Sequence, residues 1–217
     1  VDVTGCGGLA RACLRGCARL PSLDLSRCTA LTHLDLRGCT RLARLRTPAC
    51  IALQHADLSL CTRLPAADLA PFTRVDGRRE ADSPAALQCV VLARCGMSSM
   101  TIRNTAALNR VALSHCADLS AVDLDTCPAA THLALPGCTA LTSLTLRDCG
   151  ALTSLSLRGC ALVTDAVVAA AARACPALAA VDLSGCGQVS DVSVALLAAC
   201  SALVDLRLAG CTGVTDK

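Results

Sequence analysis

An eleven-residue module, L-x-x-L-x-L-x-x-C-x-x, recurs in tandem from Leu9 to Leu152 and then lengthens; a chain with that rhythm has few ways to bury its leucines. The short form reads Leu20-Leu23-Leu25-Cys28, Leu31-Leu34-Leu36-Cys39, Leu141-Leu144-Leu146-Cys149 and Leu152-Leu155-Leu157-Cys160, and the long form runs from Leu152 to Leu178 and from Leu178 to Leu203. Self-similarity at a fixed period marks a solenoid, in which each unit buries its apolar edge only against its neighbours. Positions 1, 4 and 6 are apolar and position 5 usually is not, as in Leu23-Asp24-Leu25, which is the period-two pattern of a short half-buried strand. One coil of such a solenoid takes about 20 to 29 residues. An eleven-residue module is therefore half a coil, and two modules close one coil with a strand on each side.

Alternate modules then form two series. Starts at 20, 42, 64, 87, 108, 130 and 152 continue into 178 and 203, while starts at 9, 31, 53, about 75, 97, 119 and 141 line the opposite face. Between Leu64 and Leu87, Phe72 takes the cysteine slot and Val75-Asp76-Gly77-Arg78-Arg79-Glu80 is a degenerate module. One extra residue there is offset by a ten-residue module from Leu87 to Met97, so the phase is expected to hold from end to end. After Cys160 the return path lengthens. Val163-Thr164-Asp165 precedes AVVAAAARACP and Val189-Ser190-Asp191 precedes VSVALLAAC, each read as a helix with Thr or Ser at the N-cap, Asp in the first turn and, in the first case, Pro176 just past the end. The expected fold is a single α/β solenoid over 1–217. It is a two-sided parallel β solenoid in 1–160 that passes into β/α repeats in 161–217. Both ends stop in mid-repeat, which leads to the expectation that the chain is a piece of a longer protein.

Cysteine placement matters more than cysteine number. Of eighteen cysteines, fourteen share one repeat position: Cys6, Cys17, Cys28, Cys39, Cys50, Cys61, Cys95, Cys116, Cys127, Cys138, Cys149, Cys160, Cys186 and Cys211. A thiol there is a small apolar filler with a weak donor, suited to the corner where the chain leaves its strand. Stacked coils would set successive thiols about 4.8 Å apart. An oxidised ladder is conceivable at that spacing, but buried reduced thiols are the expectation, and with them a reducing, cytoplasmic compartment. No C-x-x-C pair occurs, and His33, His55, His115 and His132 do not supply the close ligand pairs of a zinc site.

The lengthened modules carry C-x-x-V-[TS]-D-x-x-V-x-x-x-x-x-x-C-P-x-L from Cys160 to Leu178, with a close variant from Cys186 to Leu203 in which Ser201 replaces the proline. This motif resembles the cysteine-containing leucine-rich repeats of F-box/LRR proteins, the substrate-receptor subunits of ubiquitin ligases, and of related adaptor and cytoskeletal proteins. The likeness covers about 152–217. Residues 9–151 are similar to nested repeats in which L-x-x-L-x-L-x-x-N is written twice per turn, here with Cys for Asn. The resemblance implies a leucine-rich repeat fold and a role in binding proteins; no F-box sequence is present in the chain.

A mean hydropathy of +0.54 is high, yet apolar runs are broken every few residues and no stretch spans a bilayer, so no membrane association is expected. Net charge is only +3, and with no Trp, no Tyr and Phe72 alone there is no aromatic platform for single-stranded nucleic acid. Residues 1–80 hold 12 Arg against 7 Asp/Glu, a hint of an acidic partner. The outward positions 3 and 5 of the series that continues into the long repeats single out Arg44, Arg46, Arg110, His132, Asp182, Asp205 and Arg207 as candidate protein-binding residues, with Asp24, Arg46 and Asp68 reading as a cross-strand charge ladder. His33 and His55 recur on the opposite face as a two-histidine pair with no third ligand in register. No G-x-S-x-G motif or phosphate loop occurs, and Gly5-x-Gly7-Gly8 lies in a repeat corner. The expectation is a non-catalytic protein-interaction scaffold with no catalytic residues, cofactor, metal or small-molecule substrate. An adaptor of the ubiquitin-ligase receptor type leads. An architectural subunit of a cytoskeletal, ciliary or ribonucleoprotein assembly stands beside it, and an extracellular recognition domain third.

Overall fold

The computed structural model describes residues 1–65, 74–75 and 86–215. The chain forms a parallel β solenoid whose strands are β1 (Arg11–Cys13), β2 (Ser22–Asp24), β3 (His33–Asp35), β4 (Arg44–Arg46), β5 (His55–Asp57), β6 (Arg74–Val75), β7 (Cys89–Val91), β8 (Ser99–Arg103), β9 (Arg110–Ala112), β10 (Ala121–Asp125), β11 (His132–Ala134), β12 (Ser143–Arg147), β13 (Ser154–Ser156), β14 (Ala180–Asp182) and β15 (Asp205–Arg207), with helices α1 (Asp165–Ala174) and α2 (Asp191–Leu197). Among the described residues one side is a nine-stranded sheet in the order β1-β3-β5-β7-β9-β11-β13-β14-β15, and the other carries the ladders β2-β4 and β12-β10-β8-β6. Leucines at positions 1, 4 and 6 point inward from both sides, and Leu31, Leu34 and Leu36 are at most 2% exposed.

Corners set the half-coil length. Most are a pair of tight turns pivoting on the cysteine: the Cys160 amide donates to Leu157 O at 3.0 Å, and the Val163 amide to Cys160 O at 3.1 Å. The residue before the cysteine has positive φ throughout, 71° at Gly159 and 72° at Gly16, as a turn of type II geometry requires at its third residue. Glycine is free there, whereas Ala49, Leu60, His115 and Thr126 adopt the same conformation against the preference of L-residues. At Gly137 a Cβ would also run into the His115 ring of the preceding turn.

The cysteine itself links turns. Cys39 Sγ donates to Leu14 O at 3.1 Å, Cys61 to Leu36 at 3.2 Å, Cys138 to Leu113 at 2.9 Å, Cys160 to Leu135 at 3.1 Å and Cys186 to Leu157 at 3.0 Å. On the other corner Cys28 reaches Val3 O at 3.4 Å and Cys50 reaches Leu25 O at 3.3 Å. A carbonyl such as Leu36 O thus accepts the amide of its own turn, Cys39 N at 3.1 Å, and the thiol of the next. All eighteen cysteines are free, and fourteen are buried. Burial pushes the thiols of Cys50 and Cys160 up to about 11 and those of Cys61 and Cys186 up to about 12, which holds them protonated as donors. Thr105 fills the slot in the module of β8 and is itself 2% exposed.

One expectation fails. Each strand of the nine-stranded sheet pairs with its counterpart one ordinary coil later, as Arg11 does with His33, His33 with His55, Cys89 with Arg110 and Ser154 with Ala180, except at β5 and β7. There His55 pairs with Cys89, half a coil further along the chain than the regular step. The phase is therefore not restored across Leu64 to Leu87. The strands at 11–13, 33–35 and 55–57 therefore continue into the series of 89–91 and beyond. Val75 lies in β6, paired with Ile102, while Phe72 and Asp68 fall outside the described residues.

In the lengthened coils the return strand is replaced by a helix, as the spacing predicts. Thr164 occupies the N-cap of α1 without a side-chain capping bond, whereas Ser190 Oγ accepts from Val192 N at 3.3 Å in α2. The recurring Val-Thr/Ser-Asp element does something else: Asp165 accepts from Ser190 N at 2.9 Å, Ser190 Oγ at 2.6 Å and the Ser193 hydroxyl. Asp191 repeats it on Thr215, at 2.8 Å to N and 2.7 Å to Oγ1. Each carboxylate latches its helix to the next coil.

Candidate interaction surface

Parallel register sorts the outward side chains of the nine-stranded sheet into two rows. One runs Arg11, His33, His55, Cys89, Arg110, His132, Ser154, Ala180 and Asp205; the other runs Cys13, Asp35, Asp57, Val91, Ala112, Ala134, Ser156, Asp182 and Arg207. Five of the seven sequence-predicted residues, Arg110, His132, Asp182, Asp205 and Arg207, share this face. Arg44 and Arg46 do not. They lie on β4, paired with β2 on the other side, because the long return path shifts the phase by half a coil. His33 and His55 move the opposite way and join the face of Arg110.

Charges on this face are mostly compensated where they stack. Arg15 pairs with Asp35 at 3.0 Å, Arg37 with Asp35 at 2.7 Å, and Arg37 with Asp57 at 3.1 Å, giving an alternating column. Burial pushes the Asp57 carboxyl above its ordinary value even though the Ser59 amide donates to it at 3.0 Å. The His33 and His55 rings stack with centroids 4.5 Å apart and planes inclined by 30°, and burial, Arg11 and His55 push His33 down. Cys89 follows His55 in register, so a third soft ligand does share the row. As placed, though, no three His, Cys, Asp or Glu side chains among the described residues converge as a metal site. At the far end Arg207 folds back on Asp205 at 2.9 Å. On the other sheet Arg46 meets Asp24 at 3.3 Å, the first rung of the expected ladder.

Two shallow grooves run between the rows. One of about 240 Å³ is lined by His33, Leu34, Asp35, His55, Ala56, Asp57, Cys89 and Val91, and one of about 260 Å³ by Ser154, Leu155, Ser156, Ala180, Val181, Asp182, Asp205 and Arg207. Between them lies an uncharged strip of Val91, Ala112, Ala134 and Ser156, bordered by the exposed side chains of Arg110 and His132. Such a surface can bury a partner's apolar side chains in its centre and offer donors at its edge. Sequence reading missed the Arg15-Asp35-Arg37-Asp57 column, although Arg15 and Arg37 recur at one coil's spacing two residues beyond positions 13 and 35. No helix among the described residues is long and apolar enough to cross a membrane. No protein-family model matches the chain, and no curated protein matches it either.

Proposed function

We propose that this protein is a non-catalytic scaffold that presents the nine-stranded sheet to a protein partner, in the manner of leucine-rich repeat adaptors. The observation that carries the reading is the continuous outward surface of that sheet. Its central strip, Val91, Ala112, Ala134 and Ser156, is free of charge, while the exposed side chains of Arg110 and His132 stand at its border. A surface of small and apolar groups with a polar rim is the composition of a recognition patch. The adaptor class rests on the resemblance of Cys160 to Leu178 to F-box/LRR repeats and on nothing else. Affinity capture with quantitative mass spectrometry tests the proposal. Arg110→Glu with His132→Glu should remove a defined set of partners and leave the melting temperature unchanged, while Arg44→Glu with Arg46→Glu on the other sheet should retain that set. Identical capture by wild type and both variants would refute it.

A further inference from the structure

A third charged column stands apart from the face just described. Arg19, Arg41 and Arg63 recur once per coil, each two residues after a cysteine of one corner and all three exposed. Their turns are superimposable in bonding: Leu20, Leu42 and Leu64 amides donate to Cys17, Cys39 and Cys61 carbonyls at 3.0, 3.0 and 3.1 Å. The thiol bonds of Cys39 and Cys61 to the preceding turns fix the register, so the three arginines leave the solenoid side by side. With about 4.8 Å between turns the column is about 10 Å long. No ion pair among the described residues involves any of the three. The flanking columns, Ala18/Thr40/Thr62 and Pro21/Ala43/Pro65, carry no acid.

Like charges stacked in register are unfavourable, and on the adjoining sheet this solenoid offsets them: the stacked pairs Arg15/Arg37 and Asp35/Asp57 neutralise one another by ion pairs between the two columns. Three uncompensated guanidiniums at one repeat position therefore point to an anionic partner supplied from outside. We propose that the Arg19-Arg41-Arg63 corner binds an acidic helix of a protein partner, laid along the solenoid axis with Asp or Glu on successive turns.

Geometry selects the helix. Helical carboxylates on one face recur about every 5.4 Å, close to the 4.8 Å step of the column. Over two steps the mismatch is about 1 Å, well inside the reach of an arginine side chain. Same-face residues of an extended peptide recur about every 6.7 Å and fall out of step by about 4 Å over the same length. Each guanidinium can take a carboxylate in a two-bond fork. Nucleic acid is the poorer match. Three charges over about 10 Å are few against the roughly six to ten phosphates that duplex-binding proteins engage, and the described residues hold no Phe, Tyr or Trp for stacking.

The test is fluorescence anisotropy at about 50 mM salt with a labelled alanine-rich helical peptide bearing Glu at i, i+4 and i+7. A peptide of the same composition with its Glu residues spread around the helix serves as the comparison. The striped peptide should bind at least threefold more tightly than the scattered one. Arg19→Glu/Arg41→Glu/Arg63→Glu should weaken it at least tenfold, and the charge-matched Arg147→Glu/Arg158→Glu/Arg173→Glu less than twofold, with circular dichroism confirming that both variants fold. Equal loss in both triple variants, or equal binding of the two peptides, would overturn the proposal. So would tighter binding of a twelve-base-pair DNA duplex with the same dependence on Arg19, Arg41 and Arg63, which would assign the corner to nucleic acid. The Arg110→Glu/His132→Glu variant should bind the striped peptide as wild type does, which keeps this corner separable from the nine-stranded face.

Discussion

Replacing Cys160 separates two accounts of the cysteine column. The residue is wholly buried, and its thiol donates to Leu135 O at 3.1 Å, a carbonyl that also accepts the Cys138 amide at 3.3 Å. Cys160→Ala removes one heavy atom from a filled site, comparable with deleting a methyl group at about 0.5–1.5 kcal/mol. It also removes a weak donor, worth about 0.5 kcal/mol because the carbonyl keeps its amide partner. The expected cost is about 1–2 kcal/mol, or a melting temperature lower by about 2–8 °C for a chain of this size. Cys160→Ser distinguishes donor from filler. If the slot is a donor position, the hydroxyl takes over the bond and serine costs less than alanine. If the sulfur only fills space, serine must bury a hydroxyl without need of it, at about 1–3 kcal/mol, and costs more than alanine. Thermal and urea unfolding followed by circular dichroism reads both variants, with Cys13→Ala, at an exposed strand position, as the neutral control. Serine more destabilising than alanine, or alanine indistinguishable from wild type, would refute the donor ladder.

Leu144→Ala truncates a side chain that is 5% exposed, in β12, and should cost about 2–5 kcal/mol by the same unfolding measurement. Thr126 holds φ at 54°, a conformation β-branched residues resist, so Thr126→Gly should raise stability by about 0.5–1 kcal/mol after the greater freedom of glycine in the unfolded chain is set against the relief; a lower melting point would show the turn tolerates threonine. Burial would raise the Asp165 carboxyl, but the bonds from Ser190 and Ser193 outweigh it and hold it below its ordinary 3.8. Its contribution is therefore complete above that value and lost as pH falls through the lowered one, so the stability difference between wild type and Asp165→Asn should be present at pH 7 and shrink towards zero on further acidification.

The strands and the corners were legible in the sequence because both are written by spacing alone. Leu23-Asp24-Leu25 alternates with period two, and Gly16-Cys17 or Gly159-Cys160 marks a turn with positive φ at a fixed distance from it. The helices were legible for the same kind of reason, from Thr164-Asp165 and Ser190-Asp191 ahead of an alanine-rich run. What failed was phase. Counting modules from Leu64 to Leu87 gives two half-coils of nearly regular length, and nothing in a count distinguishes two short half-coils from one long one. Pairing does: His55 lies opposite Cys89, so every outward residue before this junction changes sides relative to those after. Arg44 and Arg46 were thereby separated from Arg110 and His132 although each was correctly assigned an outward position.

That half-coil shift also decides how charge is distributed between the two sides. With an unbroken phase, Arg44 and Arg46 would have extended the row of Arg110 and His132. Instead the sheet of Arg110 receives His33, His55, Asp35 and Asp57, whose carboxylates are neutralised by Arg15 and Arg37. Arg19, Arg41, Arg63 and Arg44, none of them in an ion pair among the described residues, lie at or beside the β2 and β4 side. A solenoid fixes side-chain positions by register, so one lengthened return path re-sorts an entire set of surface residues while the turns on either side keep the same inward leucines. Two partners of different character, one met by an uncharged strip and one by a basic edge, can then address the molecule without competing for the same side chains.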